Sequence, residues 1–260
     1  MTIYSHSRLS TYENCPLQFK FCYIDKIELE VQPEGIEAFL GSRFHESMEK
    51  LYGALQARVI PLDELTAYFD DIWDKNITQD IVINKKQYTA ENYKAMGRKF
   101  LEDYYKKYSP FNAGKVIASE KEVTFDLDSA GNYKVKGYID RIDRLKDGTY
   151  EIHDYKTSSR VPEQKYLDLD RQLALYQVGL ENLWDDVKKV DLIWHYVAFN
   201  KELKSSRTAK QLDDLKKETI ALIDIIENAK DFPAQSSPLC KWCAYQNICP
   251  KNKQVKHANS

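Results

Sequence analysis

Along the chain, the spacing of apolar positions changes character twice. Ser7 is placed to cap a short helix over residues 8–14, and Pro16 suits the first turn of a second helix running through the apolar, aromatic stretch Leu17–Ile24. Residues 28–36 read as a loop. A 3.6-residue period then predicts helices over about 37–58, 62–77 and 89–108, the last stopped by Ser109-Pro110. From residue 116 the spacing shortens. Stretches 116–127, 133–145 and 149–155 partly alternate and are rich in β-branched and aromatic residues, so they read as strands. Ser129-Ala-Gly-Asn132 and Asp147-Gly148 between them are good hairpin turns. A helix over about 168–183 follows, with Leu173, Tyr176, Leu180 and Leu183 on one stripe. Val190–Phe199 reads as a strand and 206–230 as a long amphipathic helix, closed by Asp231-Phe232-Pro233 ahead of a cysteine-rich tail.

This order of elements predicts an α/β fold: one mixed central sheet flanked by helices, with an N-terminal helical insertion. The expected organisation is a single domain over 1–260. Within it, residues 28–112 form a helical insertion or subdomain, 113–200 the sheet core, and 234–250 a tail that pairs with residue 15.

Composition narrows the classes. With 43% hydrophobic residues in 260 the chain can bury a full core, and 30% charged residues give it a wet surface. No run approaches the roughly 18 apolar residues of a membrane-spanning helix, so no membrane partner is expected. The N-terminal segment lacks the apolar stretch of a signal peptide, which makes the cytoplasm or nucleoid the expected location. A net charge of −2 argues against a protein that coats nucleic acid non-specifically. It leaves room for a local basic channel. Five cysteines in a reducing compartment read first as a metal site rather than as disulfides.

The candidate chemistry is concentrated in the strands. Gly137-Tyr-Ile-Asp140-Arg-Ile-Asp143 is followed one strand later by Ile152-His-Asp154-Tyr-Lys156. Neighbouring antiparallel strands can set Asp140 beside Asp154, a hard oxygen pair suited to Mg²⁺ or Mn²⁺. Lys156, two residues after Asp154, points to the same face, where an ammonium can orient water and offset charge developing on a phosphate. His153 points to the other face. His45 lies on a predicted helix and can supply an imidazole ligand, while Gln172 and Tyr176, at i and i+4, face one way and can contact a phosphate or an unstacked base. Arg141 and Asp143 read as supporting residues. Cys240, Cys243 and Cys249 form a close trio with Cys15 far upstream, and four thiolates can hold either zinc or an iron–sulfur cluster. Cys22 falls outside that pattern and reads as a small buried hydrophobe.

The series His45, Asp140, Asp154-x-Lys156, Gln172-x-x-x-Tyr176 resembles the RecB-like branch of the PD-(D/E)XK nucleases. With Cys15 and the C-terminal trio it is similar to the iron–sulfur members, among them the AddB nuclease domain and the CRISPR-adaptation nuclease family. The resemblance covers both ends of the chain and the 137–176 core; residues 55–110 match nothing specific. It implies a restriction-endonuclease-like fold in which His45, Asp140, Asp154 and the backbone carbonyl of Tyr155 bind the metal. It further implies a catalytic Lys156, and DNA contacts from Gln172 and Tyr176. It favours a [4Fe–4S] cluster over zinc at Cys15, Cys240, Cys243 and Cys249, bolting the N-terminal helix to the tail. The implied activity is a DNA nuclease, an exonuclease on single-stranded ends, in repair, recombination or CRISPR spacer processing, with a helicase or integrase as partner.

Two other readings remain open on the residues. One is a non-catalytic subunit that binds DNA ends for a partner, and the intact acid, acid and lysine set argues against it. The other is a redox protein using the cluster itself. No Gly-x-x-x-x-Gly-Lys-Ser/Thr phosphate loop is present, so any ATP-driven unwinding belongs to a partner. Most of the 18 tyrosines read as core residues, although some are placed to stack on bases. Tyr104, Tyr105 and Tyr108 are not assigned either way. The lysines along 204–217 read as a solvated helix face.

Overall fold

The computed structural model describes residues 2–29 and 34–251. The expected loop at 28–36 therefore falls partly, at 30–33, outside the described residues. The chain divides into two compact units: Met1–Gln32, Asp126–Lys136 and Asp213–Ser260 in the first, Pro33–Phe125 and Gly137–Leu212 in the second.

In the second unit, helices α3 (Ile36–Ala54), α4 (Leu62–Asn76) and α5 (Ala90–Tyr108) are followed by strands β2 (Lys115–Asp126), β3 (Lys134–Arg144) and β4 (Tyr150–Lys156). A short helix α6 (Gln164–Leu167), helix α7 (Arg171–Leu183) and strands β5 (Val190–Tyr196) and β6 (Lys201–Ser206) complete it. The sheet is mixed. β3 and β4 are antiparallel, β4 and β5 parallel, β5 and β6 antiparallel, and β2 pairs with β3. β5 is buried at every residue, as a central strand covered on both faces should be. The mixed α/β architecture expected from the sequence is what forms.

The helical segment 36–108 does not stand apart from this sheet. Phe39, Phe44, Met48 and Leu51 of α3, Phe69 and Trp73 of α4, and Leu101 and Tyr104 of α5 share one apolar core with Tyr155 of β4. Gly97 sits where these three helices come closest. A Cβ there would lie 2.3 Å from Phe69 and 2.7 Å from Leu40, so only glycine lets α5 approach. Thr89 caps α5 through a reciprocal pair with Asn92, which sets the helix start where the sequence places it.

In the first unit, β1 (Ile3–Tyr4) pairs in parallel with Lys134 and Val135, the opening residues of β3. Helix α1 (His6–Asn14) follows, then α2 (Pro16–Phe19), which continues as a π-turn over Lys20–Ile24. Helix α8 (Ala209–Glu227) is docked in part by hydrogen bonds from Tyr4 to Glu227 at 2.6 Å and from Tyr133 to Asp224 at 2.7 Å. The tail lies against α1 and α2: Phe232 stacks on Phe19 with centroids 6.4 Å apart, and the Leu17 amide donates to the Pro233 carbonyl.

Several sequence expectations need correction. The cap of α1 is Ser5, whose hydroxyl accepts the Arg8 amide, while Ser7 lies inside the helix. β1 is too short to produce a period. The polar run Lys-Glu-Leu-Lys-Ser-Ser, which lacks any strand signal, forms β6. It is an edge strand, where charge blunts further pairing. Lys204 accordingly lies on β6 rather than on a helix, 2.8 Å from Asp191. The helix expected over 168–183 forms as α7 and starts three residues later, at Arg171, because Asp170 caps it through the Leu173 amide; the short α6 before it is not expected from the sequence. Leu183, at the end of α7, is 45% exposed and off the buried stripe. Cys22 is exposed, not buried.

Gly97→Ala is expected to lower the unfolding free energy by about 1–3 kcal/mol, overpacking outweighing alanine's helix propensity. Urea denaturation measures it, and an unchanged midpoint would show that the helices can separate at no cost.

Candidate active site

The register of β3 on β4 assembles the site. Arg141 faces His153, Ile142 faces Ile152 and Asp143 faces Glu151, so Asp140 and Asp154 continue the same series across the strand pair. Asp140 Oδ2 accepts the Tyr155 amide at 2.8 Å, which holds its carboxylate over β4. Asp154 is 4% exposed. Lys156, one pleat on, donates to Asp154 Oδ1 at 3.0 Å and to Gln172 Oε1 at 3.3 Å, and its ammonium lies 2.7 Å from Asp154 Oδ2 as an ion pair. Gln172 in turn donates to the Tyr176 hydroxyl at 3.3 Å. The i, i+4 pair on α7 is thus turned inward onto the lysine. Tyr176 is itself buried and sets a ring edge against Gly137, where a Cβ would come within 2.2 Å of it. The glycine opening the 137–143 segment is there to admit that ring.

His45 reaches the same place from α3. Its Nε2 donates to the Tyr155 carbonyl at 2.9 Å, while Nδ1 faces Asp140 Oδ2 at 3.4 Å and Glu120 Oε1 at 3.7 Å. His45, Glu120 and Asp140 can each offer a ligand atom, all within 4.8 Å of one another. Glu120, on β2, is a site residue that sequence reasoning misses. It lies in no motif, and only its backbone conformation distinguishes it.

Burial and charge pull against each other in this site. Burial pushes the Asp154 carboxyl up to about 7, with the Asp140 charge adding to the rise and Lys156 opposing it. Burial disfavours the His45 imidazolium, but hydrogen bonds to Asp140 and Glu120 outweigh it and raise His45 to about 10. Burial likewise opposes the Lys156 charge and is outweighed by Asp154, so Lys156 is held above its ordinary value. Two cationic side chains balance carboxylates that would otherwise repel.

The other face of the sheet carries a separate network. His153 is buried there, as expected of a residue opposite Asp154. Its Nε2 is 3.4 Å from Asp143 and 3.6 Å from Glu151, and its Nδ1 is 2.9 Å from His195 Nε2. His195 continues to the Tyr108 hydroxyl at 3.2 Å, which donates to Glu202 at 2.8 Å. Arg141 is buried too: it donates to the hydroxyls of Tyr104 at 2.8 Å and Tyr155 at 2.6 Å, lies 3.8 Å over the Tyr52 ring and pairs with Asp143 at 3.2 Å. Tyr104 and Tyr108 therefore serve this network, and Tyr105 holds the Ile60 carbonyl. Asp143, Glu151 and His153 also form a three-donor group.

In the first unit Cys15, Cys240, Cys243 and Cys249 line one cavity of about 220 Å³. The amides of Gln235 and Ser237 point at the sulfurs of Cys15 and Cys240, at 3.4 and 3.3 Å. Burial raises the Cys243 thiol, and the other three cysteines add to the rise.

A family model described as the PD-(D/E)XK nuclease superfamily matches residues 3–250. An ATP-dependent helicase/deoxyribonuclease subunit from Streptococcus equi subsp. zooepidemicus (strain MGCS10565) is 40% identical over 73 residues, 27% of this chain and 7% of that protein. The protein of the same name from Clostridium perfringens (strain SM101 / Type A) is 26% identical over 217 residues, 68% of this chain and 17% of that protein. This chain thus spans at most 17% of the length of these two relatives. The crystal structure of SSO0001 aligns over 91% of this chain and 95% of its own at 17% identity, with a TM-score of 0.33, too loose to bear on function.

The pH dependence of stability follows from these shifts. Asp154 is raised from 3.8, so the folded state incurs the cost of its charge as pH climbs from about 4 to about 7. His45 is raised from 6.5, so its stabilising ion pairs are fully present below that value and lost toward pH 10. Both effects have one sign, while His195, which burial holds well below 6.5, opposes them up to about that value. Metal-free protein is therefore expected to melt at lower temperature as pH rises from 7 to 10, and between pH 5 and 7 the parent should lose stability relative to Asp154→Asn. Parent and variant curves that run parallel from pH 5 to 7 would contradict it.

Proposed function

The chain belongs to the PD-(D/E)XK nuclease superfamily, and on that premise we propose that Asp140, Asp154 and Lys156 form the cleavage centre of a metal-dependent deoxyribonuclease. The observation that carries this reading is the buried Asp154 carboxylate beside Asp140, with Lys156 2.7 Å from Asp154. A site of this charge and depth suits a divalent cation, because buried carboxylates need a positive partner. The donor set suits it: the carboxylates of Asp140 and Asp154, the Tyr155 carbonyl and the His45 imidazole, all but one offering the oxygen that Mg²⁺ or Mn²⁺ prefers, with His45 and Asp140 among ligand atoms that lie within 4.8 Å of one another. Bound there, the ion supplies Lewis acidity at the phosphate and a more acidic water.

The protein's own groups do the rest. Lys156 stays cationic, so it acts as a donor and point charge beside the scissile phosphate rather than as the base. Gln172 fixes its ammonium, and Tyr176 fixes Gln172. That chain also places the Gln172 amide and the Tyr176 hydroxyl where they can touch DNA. His45 must give up a proton to become a ligand, so metal uptake should strengthen with pH.

An iron–sulfur cluster is the proposed occupant of the cysteine cavity, with zinc as the alternative four-thiolate group. Four cysteines line the cavity of about 220 Å³, and backbone amides aimed at two of the sulfurs suit a thiolate-held group. Cys15, Cys240, Cys243 and Cys249 would hold it, and its role would be to fasten the tail to the N-terminal helices. The 28–112 segment, the 113–200 sheet and the 234–250 tail then act as parts of one nuclease domain.

Single-stranded DNA ends are the proposed substrate and exonucleolytic cleavage the proposed mode, with work in the cytoplasm beside a helicase partner. The names of the two relatives support the helicase. No helix among the described residues is long and apolar enough to cross a membrane. Repair or recombination follows from such a partner, whereas spacer processing would require an integrase instead.

End-labelled single- and double-stranded oligonucleotides, digested with Mg²⁺ or Mn²⁺, test the centre. Asp154→Asn and Lys156→Ala should each lower cleavage by at least about 100-fold, on the order of 3 kcal/mol of barrier, and spare DNA binding. Cleavage at the parental rate in either variant would sink the mechanism. Protein purified without oxygen should absorb broadly in the visible and contain iron and labile sulfide. A colourless protein with one zinc would overturn the cluster and leave the nuclease standing.

A further inference from the structure

Four non-glycine residues among those described have left-handed backbone: Lys26, Phe111, Glu120 and Asn200. Lys26 follows the end of α2's π-turn, Phe111 follows α5 and Asn200 closes the turn after β5, all positions where a chain reverses. Glu120 does not. It lies in the middle of β2, with φ at 46°, in a strand of twelve residues. A residue in that region within a strand interrupts the alternation of faces and re-aims its side chain, and a side chain other than glycine's makes the conformation strained. The burial pattern changes there: residues 116–120 are half-buried, Lys121 and Glu122 are both exposed, and alternation begins only at Val123.

What the strain achieves is visible in where Glu120 goes. Its carboxylate lies 3.7 Å from His45 Nδ1, the atom that also faces Asp140 at 3.4 Å. One oxygen of Glu120, one of Asp140 and a ring nitrogen of His45 lie within 4.8 Å of one another. About 31% of the Glu120 side chain remains exposed, so an ion can reach it from solvent. A surface ion pair with a histidine needs no such backbone, because a glutamate on a regular strand has freedom enough to find one.

We infer that Glu120 is a further ligand of the metal centre, aimed by the left-handed kink of β2 so that it takes the same divalent cation as Asp140 and His45. The inference rests on the metal-dependent reading of this site. It makes the centre three carboxylates rather than two. A third hard oxygen favours Mg²⁺ or Mn²⁺ over a softer ion.

The test is Mn²⁺ binding to the full chain, followed by calorimetry, with metal-free melting temperatures alongside. Glu120→Gln keeps the shape and removes the charge. Glu120→Gly removes the donor and relieves the backbone. Both are expected to weaken Mn²⁺ binding roughly tenfold or more. The glycine variant should melt at or above the parental temperature without metal, separating loss of a ligand from loss of fold. Parental Mn²⁺ affinity in both variants would overturn the assignment. Asp154→Asn distinguishes the two levels: if it weakens Mn²⁺ binding while the Glu120 variants do not, Glu120 alone is wrong. If it too binds Mn²⁺ as the parent does, the metal-centre reading fails and the Glu120 assignment with it.

Discussion

Much of the second unit is arranged around the cost of burying Asp154 beside Asp140. An isolated carboxylate taken from water into a protein interior costs several kcal/mol, and a like charge beside it adds to that. Lys156 and His45 offset the cost from opposite sides, one from the same strand and one from a helix that begins over a hundred residues earlier. Neither position is free to drift. The lysine is tied through Gln172 to Tyr176, and Tyr176 fits only because residue 137 has no side chain. The histidine is tied to the Tyr155 carbonyl, between the acid and the lysine. A divalent cation would take over the role these two charges play, which makes metal binding and folding two answers to one electrostatic problem.

The far face of the sheet fixes the two strands that carry the acids. Arg141 follows Asp140 and Tyr155 follows Asp154, and these two meet at 2.6 Å behind the site, where Tyr52, Tyr104 and Asp143 close around the guanidinium. Tyr52 belongs to α3 and Tyr104 to α5. The helical segment therefore does more than cover the sheet. It supplies His45 on one side of the strand pair and half of the arginine's surroundings on the other. The residues of this segment that match no motif, such as Tyr104, act through that packing rather than at the reacting atoms.

How much of this is legible in the sequence depends on what each residue answers to. The strand pair is legible because its turns and β-branched runs set a register, and register alone places Asp140 by Asp154 and turns His153 away. The long helices are legible from their period, and the end of α5 from Ser109-Pro110. β6 is not, because an edge strand made of Lys, Glu and Ser carries no apolar alternation. Cys22 defies its residue type because exposure depends on what packs over a helix, not on the cysteine. Glu120 is invisible for a different reason: its position is set by a backbone conformation that no residue type announces. The cysteine trio is plain in the spacing, whereas spacing does not choose between zinc and a cluster.

The proposed chemistry requires one location for the metal. Crystals of the full chain soaked in Mn²⁺, with data collected for anomalous scattering, would show it directly. The expected result is a peak within bonding distance of Asp140, Asp154 and the Tyr155 carbonyl, on the face of the sheet that carries Lys156. A peak at Asp143, Glu151 and His153 on the opposite face, with none beside Asp154, would contradict it.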